Sequence, residues 1–286
     1  MAVITLDTSP REMLRQVAKA REVVAGESHT RKLIDGSLAI LHDTVVTLYL
    51  EKTHLIQLMM MTERDKPNAN KALIKQFLNN WGKALTEAQN YVEQFILTRW
   101  NSRIFRYRGR LMDARGQYAA AVGLYKKSLQ GVKLDPEYID RRVPRWLEIE
   151  AFIAYSTLAS GKTKKGLELS EKIYKKFDLS EGLELKKDDY ATWAIWKSGI
   201  AIRVGQAYMA KKFDMDMDKY KKWLAEAEKL FTPPPGVIVW VDFGFRKNEI
   251  AAIRRELKKY PPEKHRENNH LPGEKTQKGF GGKGKH

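Results

Sequence analysis

The chain has 286 residues, of which 43% are hydrophobic, and carries 52 Lys and Arg against 35 Asp and Glu, a net charge of +17. It has no cysteine, which excludes disulfides, thiolate-bound zinc, iron–sulfur clusters and cysteine nucleophiles. No run nears the roughly 18 apolar residues of a membrane span, and the opening MAVITLDTSPREML lacks the order of a secretory signal, so no membrane partner is expected and the cytoplasm is the expected compartment.

The sequence reads as helix nearly throughout, predicting an all-α fold. Ser9-Pro10 opens a first helix, with Ser9 as cap and Pro10 suited to the first helical position; Met13, Leu14, Val17, Val23 and Val24 form its apolar side. A second helix is predicted from about Ser28 to about Thr62, where Leu33, Ile34, Leu38, Leu41, Val45, Leu48, Leu55 and Met59 recur at three- and four-residue steps. Asp65-Lys66-Pro67-Asn68 breaks the chain. A third helix runs from about Asn70 into the 90s, with Leu73, Phe77, Trp81, Leu85, Ala88, Val92 and Phe95 on one side. These two long helices are expected to form an antiparallel hairpin.

From Trp100 a spaced pattern begins. Trp100, Trp146 and Trp193 are 46 and 47 residues apart, and Gly116, Gly161 and Gly205 are 45 and 44 apart. Such steps mark stacked helix pairs. Pro233-Pro234-Pro235-Gly236 then stops a helix. Val237 to Val241 reads as a short strand or as an extended plug on the last hydrophobic face. A final helix spans about Lys247 to Lys259, with Ile250, Ile253 and Leu257 as its stripe. Residues 261–286 are poor in apolar side chains and rich in Gly and Lys, and are expected to be a disordered basic tail. The expected regions are therefore 1–98, 99–232, 233–260 and 261–286.

The segment RIFRYRGRLMDARGQYAAAVGLYKKSL, Arg103 to Leu129, resembles a tetratricopeptide (TPR) repeat through Gly109, Gly116, Tyr118, Ala121 and Tyr125. Gly109 and Ala121 permit close helix approach, Gly116 serves the turn, and the aromatics fill the space between pairs. A second copy, Glu148 to Ile173, keeps Ala154, Gly161 and Gly166 but loses the aromatics of its second helix; a third has Gly199, a longer first helix and a second helix from about Asp218. The resemblance implies a divergent TPR-like α-solenoid whose first helices line a concave groove for an extended peptide or a terminal carboxylate.

Charge concentrates in the same region. Residues 99–146 hold 12 basic and 4 acidic groups, against 12 and 11 in residues 1–98. Arg99, Arg103, Arg106 and Arg110 fall within about 60° on one helix face, beside an apolar stripe of Trp100, Ile104, Tyr107 and Leu111. Four cations at such spacing repel one another. Either a bound anion offsets this, for which the arginine fork is suited, or acids of the first hairpin, such as Glu87 and Glu93, pair with them. The resemblance places Arg103, Arg106 and Arg110 toward the groove, and Arg141, Arg142 and Arg145 would extend the surface. Trp193 and Trp196 occupy analogous positions in the third copy, as groove aromatics or as core.

Catalytic patterns are lacking. Ser160-Gly161-Lys162-Thr163 has Ser156 where a phosphate loop needs glycine, and a helix before it instead of a strand. Asp214, Asp216 and Asp218 begin like a calcium loop, but Lys219 and Ala225 stand where glycine and glutamate are required, so they read as a helix cap. The expectation is a non-enzymatic scaffold without cofactor or metal that binds an acidic protein or peptide. The alternative is an RNA- or ribosome-associated protein using the arginine ridge and the tail.

Overall fold

The computed structural model describes residues 28–64, 66, 68–134, 144–211, 213–239 and 241–259. The helix expected around Ser9 to Val24, Arg141, Arg142 and the tail 261–286 lie outside these residues. Every regular element described is helical: α1 (Ser28–Arg64), α2 (Lys71–Gln94), a 3-10 turn (Thr98–Trp100), α3 (Asn101–Ala114), α4 (Tyr118–Leu134), α5 (Arg145–Ala159), α6 (Thr163–Lys176), α7 (Ser180–Asp188), α8 (Tyr190–Lys211), α9 (Met217–Lys229) and α10 (Gly244–Lys259). None of these helices is long and apolar enough to cross a membrane.

The chain divides into two units between Lys187 and Asp188, inside the stretch 99–232 that the sequence presents as one run. In the first unit, α1 packs on α2, α2 on α3, α3 on α4, α4 on α5 and α5 on α6. Asn70 caps α2 by accepting from the N–H of Ala72 and Leu73 at 3.0 and 3.1 Å. Glu63 closes the preceding loop by accepting from the N–H of Asn70 at 3.0 Å and from Lys66 at 2.5 Å. Val46 and Leu50 of α1, Trp81 and Leu85 of α2, and Trp100 and Ile104 beyond them form one buried cluster. The hairpin core is thus continuous with that of α3.

Small residues decide how closely α3 and α4 approach. A Cβ on Gly109 would lie 2.5 Å from the Tyr125 ring. Ser102 and Ser128 each donate a hydroxyl to the other's backbone carbonyl at 2.7 Å, deeper along the same crossing. Tyr125 stacks on Phe152 of α5 with ring centroids 5.1 Å apart. Its hydroxyl donates to Asp113 at 2.7 Å, and Ser156 of α5 donates to the other oxygen of that carboxylate at 2.7 Å. One carboxylate therefore ties α3 to α4 and to α5.

Gly116 and Gly161 occupy the left-handed region, at φ 74° and 96°, in the turns after α3 and α5. Ser160-Gly161-Lys162 is thereby the turn between α5 and α6. Gly205 sits late in the helix that Trp193 begins, as its spacing suggests. It lies within α8, where a Cβ would fall 1.9 Å from the Tyr220 hydroxyl. Its small size serves helix approach.

In the second unit, α8 packs on α9 and α10. Asp216 caps α9 by accepting from the Lys219 N–H at 2.9 Å, which is the cap reading of the aspartate cluster. Val237 to Val239 form no strand: Val237 and Ile238 are exposed, and the Val237 N–H closes a turn on the Pro234 carbonyl at 3.1 Å, while Trp240 lies outside the described residues. Phe231 and Phe243 pack there instead, stacked with centroids 5.4 Å apart.

The glycines divide into two kinds by what surrounds them. A Cβ on Gly166 would lie 2.6 Å from the backbone of Leu158, which cannot turn aside, whereas Gly123 in α4 has nothing within 4 Å. Gly166→Ala is expected to destabilise by about 2 kcal/mol through overpacking. Gly123→Ala is expected to stabilise by up to about 1 kcal/mol through helix propensity. Denaturant titration of the two variants should move the midpoint in opposite directions.

Candidate anion-binding site

The residues of α3 sort by face. Trp100, Ile104, Tyr107 and Leu111 are buried, and the arginine ridge runs along the edge of that apolar stripe. The ridge is not uniform. Arg99 donates from Nε and Nη2 to one oxygen of Asp43 at 3.1 and 2.7 Å, and the Trp100 indole donates to the same oxygen at 2.7 Å. The first arginine is thus held by α1, through an acid other than the two that the sequence suggests. Glu87 pairs with Lys52 at 2.8 Å, and Glu93 accepts from Gln89.

Arg106 is 4% exposed. Its Nη1 lies 3.1 Å from Glu148 Oε2, and Arg145 Nη1 lies 3.7 Å from the same oxygen. Glu148 and Phe152 stand four apart on α5, so both reach the ridge of α3. The Arg110 guanidinium lies 5.7 Å from the Tyr107 ring and 5.7 Å from the Phe152 ring, a cation–π arrangement. Arg103 lies 5.2 Å from the Trp100 ring. Both are half-buried.

His54 of α1 faces this cluster. Burial pushes its pKa down, the Arg110 charge lowers it further, and Glu51 and Glu148 act in the opposite direction. Glu148 is shared by Arg106 and Arg145, and the Arg110 guanidinium lies over the Phe152 ring one turn further along the same helix. Arg110 makes no ion pair among the described residues. A guanidinium resting on two rings keeps its N–H edge for a carboxylate or phosphate oxygen.

Trp193 and Trp196 are buried in the core of the second unit, and a groove role would need them open. Lys197 lies over the Trp193 ring at 5.1 Å. They are core side chains because α8 carries apolar or small residues around most of its circumference.

A second basic region escaped the sequence reading. Across α3 from the ridge, a cleft of about 890 Å³ is lined by Lys83 of α2 and by Arg108 and Arg115, over Leu85, Leu111 and Leu124. The Arg115 guanidinium donates to the Leu78 carbonyl at 3.2 Å, and it passes where a Cβ on Gly82 would be 2.9 Å away. Lys83 and Arg108 have no ion pair among the described residues. The signal was present as the seven-residue step from Arg108 to Arg115, hidden by the denser ridge on the other face.

The chain finds no match among known protein families, curated proteins or solved structures. Among the described residues, no three His, Asp or Glu side chains converge as a metal site requires.

Two measurements probe the cluster. Glu148→Gln leaves the Arg106 guanidinium buried without its carboxylate, and is expected to cost about 3 kcal/mol in chemical denaturation. The second is pH dependence. His42, like His54, is held below its ordinary value of 6.5, mainly by burial. Unfolding returns both to that ordinary value, so the unfolded chain binds more protons between it and the lowered one. The contribution is complete above about pH 6.5 and fades as pH falls through the folded-state values. The unfolding midpoint should drop between pH 7.5 and 5.5, and drop less in His42→Gln/His54→Gln.

Proposed function

We propose that this chain is a non-enzymatic scaffold that binds an acidic protein or peptide through the arginine face of α3, with helix pairs stacked in the TPR-like manner and the cytoplasm as its setting. The carrying observation is Arg110: a cation set over Tyr107 and Phe152, with no ion pair of its own among the described residues, beside a carboxylate already engaged by Arg106 and Arg145. The pairing of α3 with α4 and of α5 with α6, each turning at a left-handed glycine, supports the repeat reading. In this reading α3 and α5 are the first helices of successive pairs, and Arg103, Arg110 and Arg145 face the ligand. Arg99 and Arg106 hold the wall in place from within.

An acidic peptide suits this surface better than a nucleic acid does. Side-chain carboxylates along an extended chain match separate guanidinium forks. Bases need open aromatic faces for stacking, and Trp100 and Tyr107 present theirs to the core and to the arginines. One observation favours the RNA reading: cations stand on both faces of α3, as a wrapped phosphate backbone would use them.

Binding of a Glu-rich peptide and of a mixed-sequence single-stranded RNA, each measured by fluorescence anisotropy at 50 and 200 mM salt, separates the two. Arg103→Glu/Arg110→Glu is the informative variant, because it spares the buried Arg106. Peptide affinity should fall at least tenfold in that variant, while RNA binds weakly to both proteins. A steep salt dependence of RNA binding, flattened by the variant, would replace the scaffold reading with the nucleic-acid one. Absence of binding to either probe would refute both.

A further inference from the structure

Helix α1 is 37 residues long, or about 55 Å at 1.5 Å per residue. One face packs on α2 and the cluster beyond it through Val45, Val46, Leu50 and Met60. The opposite face reads Ile40, Thr44, Leu48, Glu51, Leu55, Leu58, Met59 and Thr62, and every one of these is exposed. At 100° per residue they fall within an arc of about 100°. The five large apolar side chains among them are 44% to 68% exposed. Together they present on the order of 500 Å², as large as the biggest apolar patch on an ordinary monomer and more continuous than scattered surface leucines.

We infer that this face of α1 is a homotypic interface, on which two copies of the chain pair their α1 helices antiparallel about a twofold axis near Glu51 and Lys52. Two features select a second copy as the occupant. The first is charge. A chain of net charge +17 repels itself, and such repulsion keeps proteins apart. Helix α1 is the exception, with Arg31, Lys32, Lys52 and Arg64 balanced by Asp35, Asp43, Glu51 and Glu63. An acidic ligand drawn to the rest of the molecule finds no attraction here, and another copy meets no repulsion.

The second feature is spacing. A twofold interface must be complementary to itself. About a centre between residues 51 and 52, Leu48 meets Leu55 of the other copy, Thr44 meets Met59, and Glu51 meets Lys52. Two apolar contacts thus flank a pair of opposite charges on each side of the axis. A parallel arrangement would set Glu51 against Glu51. The seam from Ile40 to Thr62 spans about 34 Å, and its flanking side chains bring the buried area toward the roughly 800 Å² per partner of a specific interface.

The register is what the test reads. Sedimentation equilibrium of the full chain from 1 to 100 µM should give twice the monomer mass at the upper end. Leu48→Lys and Leu55→Glu, each alone, should weaken association at least tenfold while leaving the far-ultraviolet circular dichroism unchanged, since both positions are exposed. Combined in one chain they should restore the dimer, because each introduced lysine faces an introduced glutamate of the other copy. A wild-type monomer at 100 µM, single variants that still dimerise, or a double variant that stays monomeric would each overturn the proposal.

Discussion

The Asp113 carboxylate is shared by three helices. It leaves α3, accepts the Tyr125 hydroxyl from α4 and accepts the Ser156 hydroxyl from α5. The geometry works only because Gly109 lets the Tyr125 ring lie flat against α3, in the space a methyl group would fill. With that ring in place, Phe152 stacks on it, and Glu148 one turn earlier reaches Arg106. The arginine face therefore follows from a packing constraint. Remove the close approach of α3 and α4, and α5 no longer delivers the ring and the carboxylate between which the cations are arranged.

Burial then divides the work among like side chains. Four arginines lie on one ridge, yet each meets a different setting: an aspartate of α1, a tryptophan face, a buried glutamate and a pair of rings. A charge as deeply buried as Arg106 needs its partner, so it cannot also serve a ligand. Arg110 lies over two aromatic faces and makes no ion pair among the described residues; the rings lower its energy without neutralising it. The same charge pattern thus yields two arginines that meet carboxylates and two that lie against rings, a distinction set by the third dimension.

Periodicity and punctuation made the helices legible. The steps of Leu33 to Met59 and of Leu73 to Phe95 were sufficient to place α1 and α2, and Asn70 stands at the cap where such a pattern should begin. Gly109, Gly116 and Tyr125 foretold the α3–α4 pair because each answers a local steric need. Gly205 falls late in its helix as the spacing implies, but a spacing of glycines does not say whether backbone freedom or smallness is required. Pairing was the least legible level. Nothing local distinguishes Asp43 from Glu87 or Glu93 as the partner of the ridge, and only the packing of α1 decides. Arg108 and Arg115 went unread because a cleft is a property of three helices at once. The valine-rich run after Pro235 has strand-forming composition, but no strand stands among the described residues to receive it.

The corner that follows α2 has a consequence of its own. Ile96 sits there at φ 53°, and the Leu97 N–H reaches back to the Val92 carbonyl at 2.9 Å. Glycine is the usual occupant of such a position because it has no side chain to clash. A β-branched residue pays in conformational energy but has only one narrow backbone well available, where glycine would have several. The joint between the long hairpin and α3 is accordingly stiff. The corner is fastened from its far side as well, since Arg99 and the Trp100 indole, just past it, both donate to Asp43 on the first helix of the hairpin.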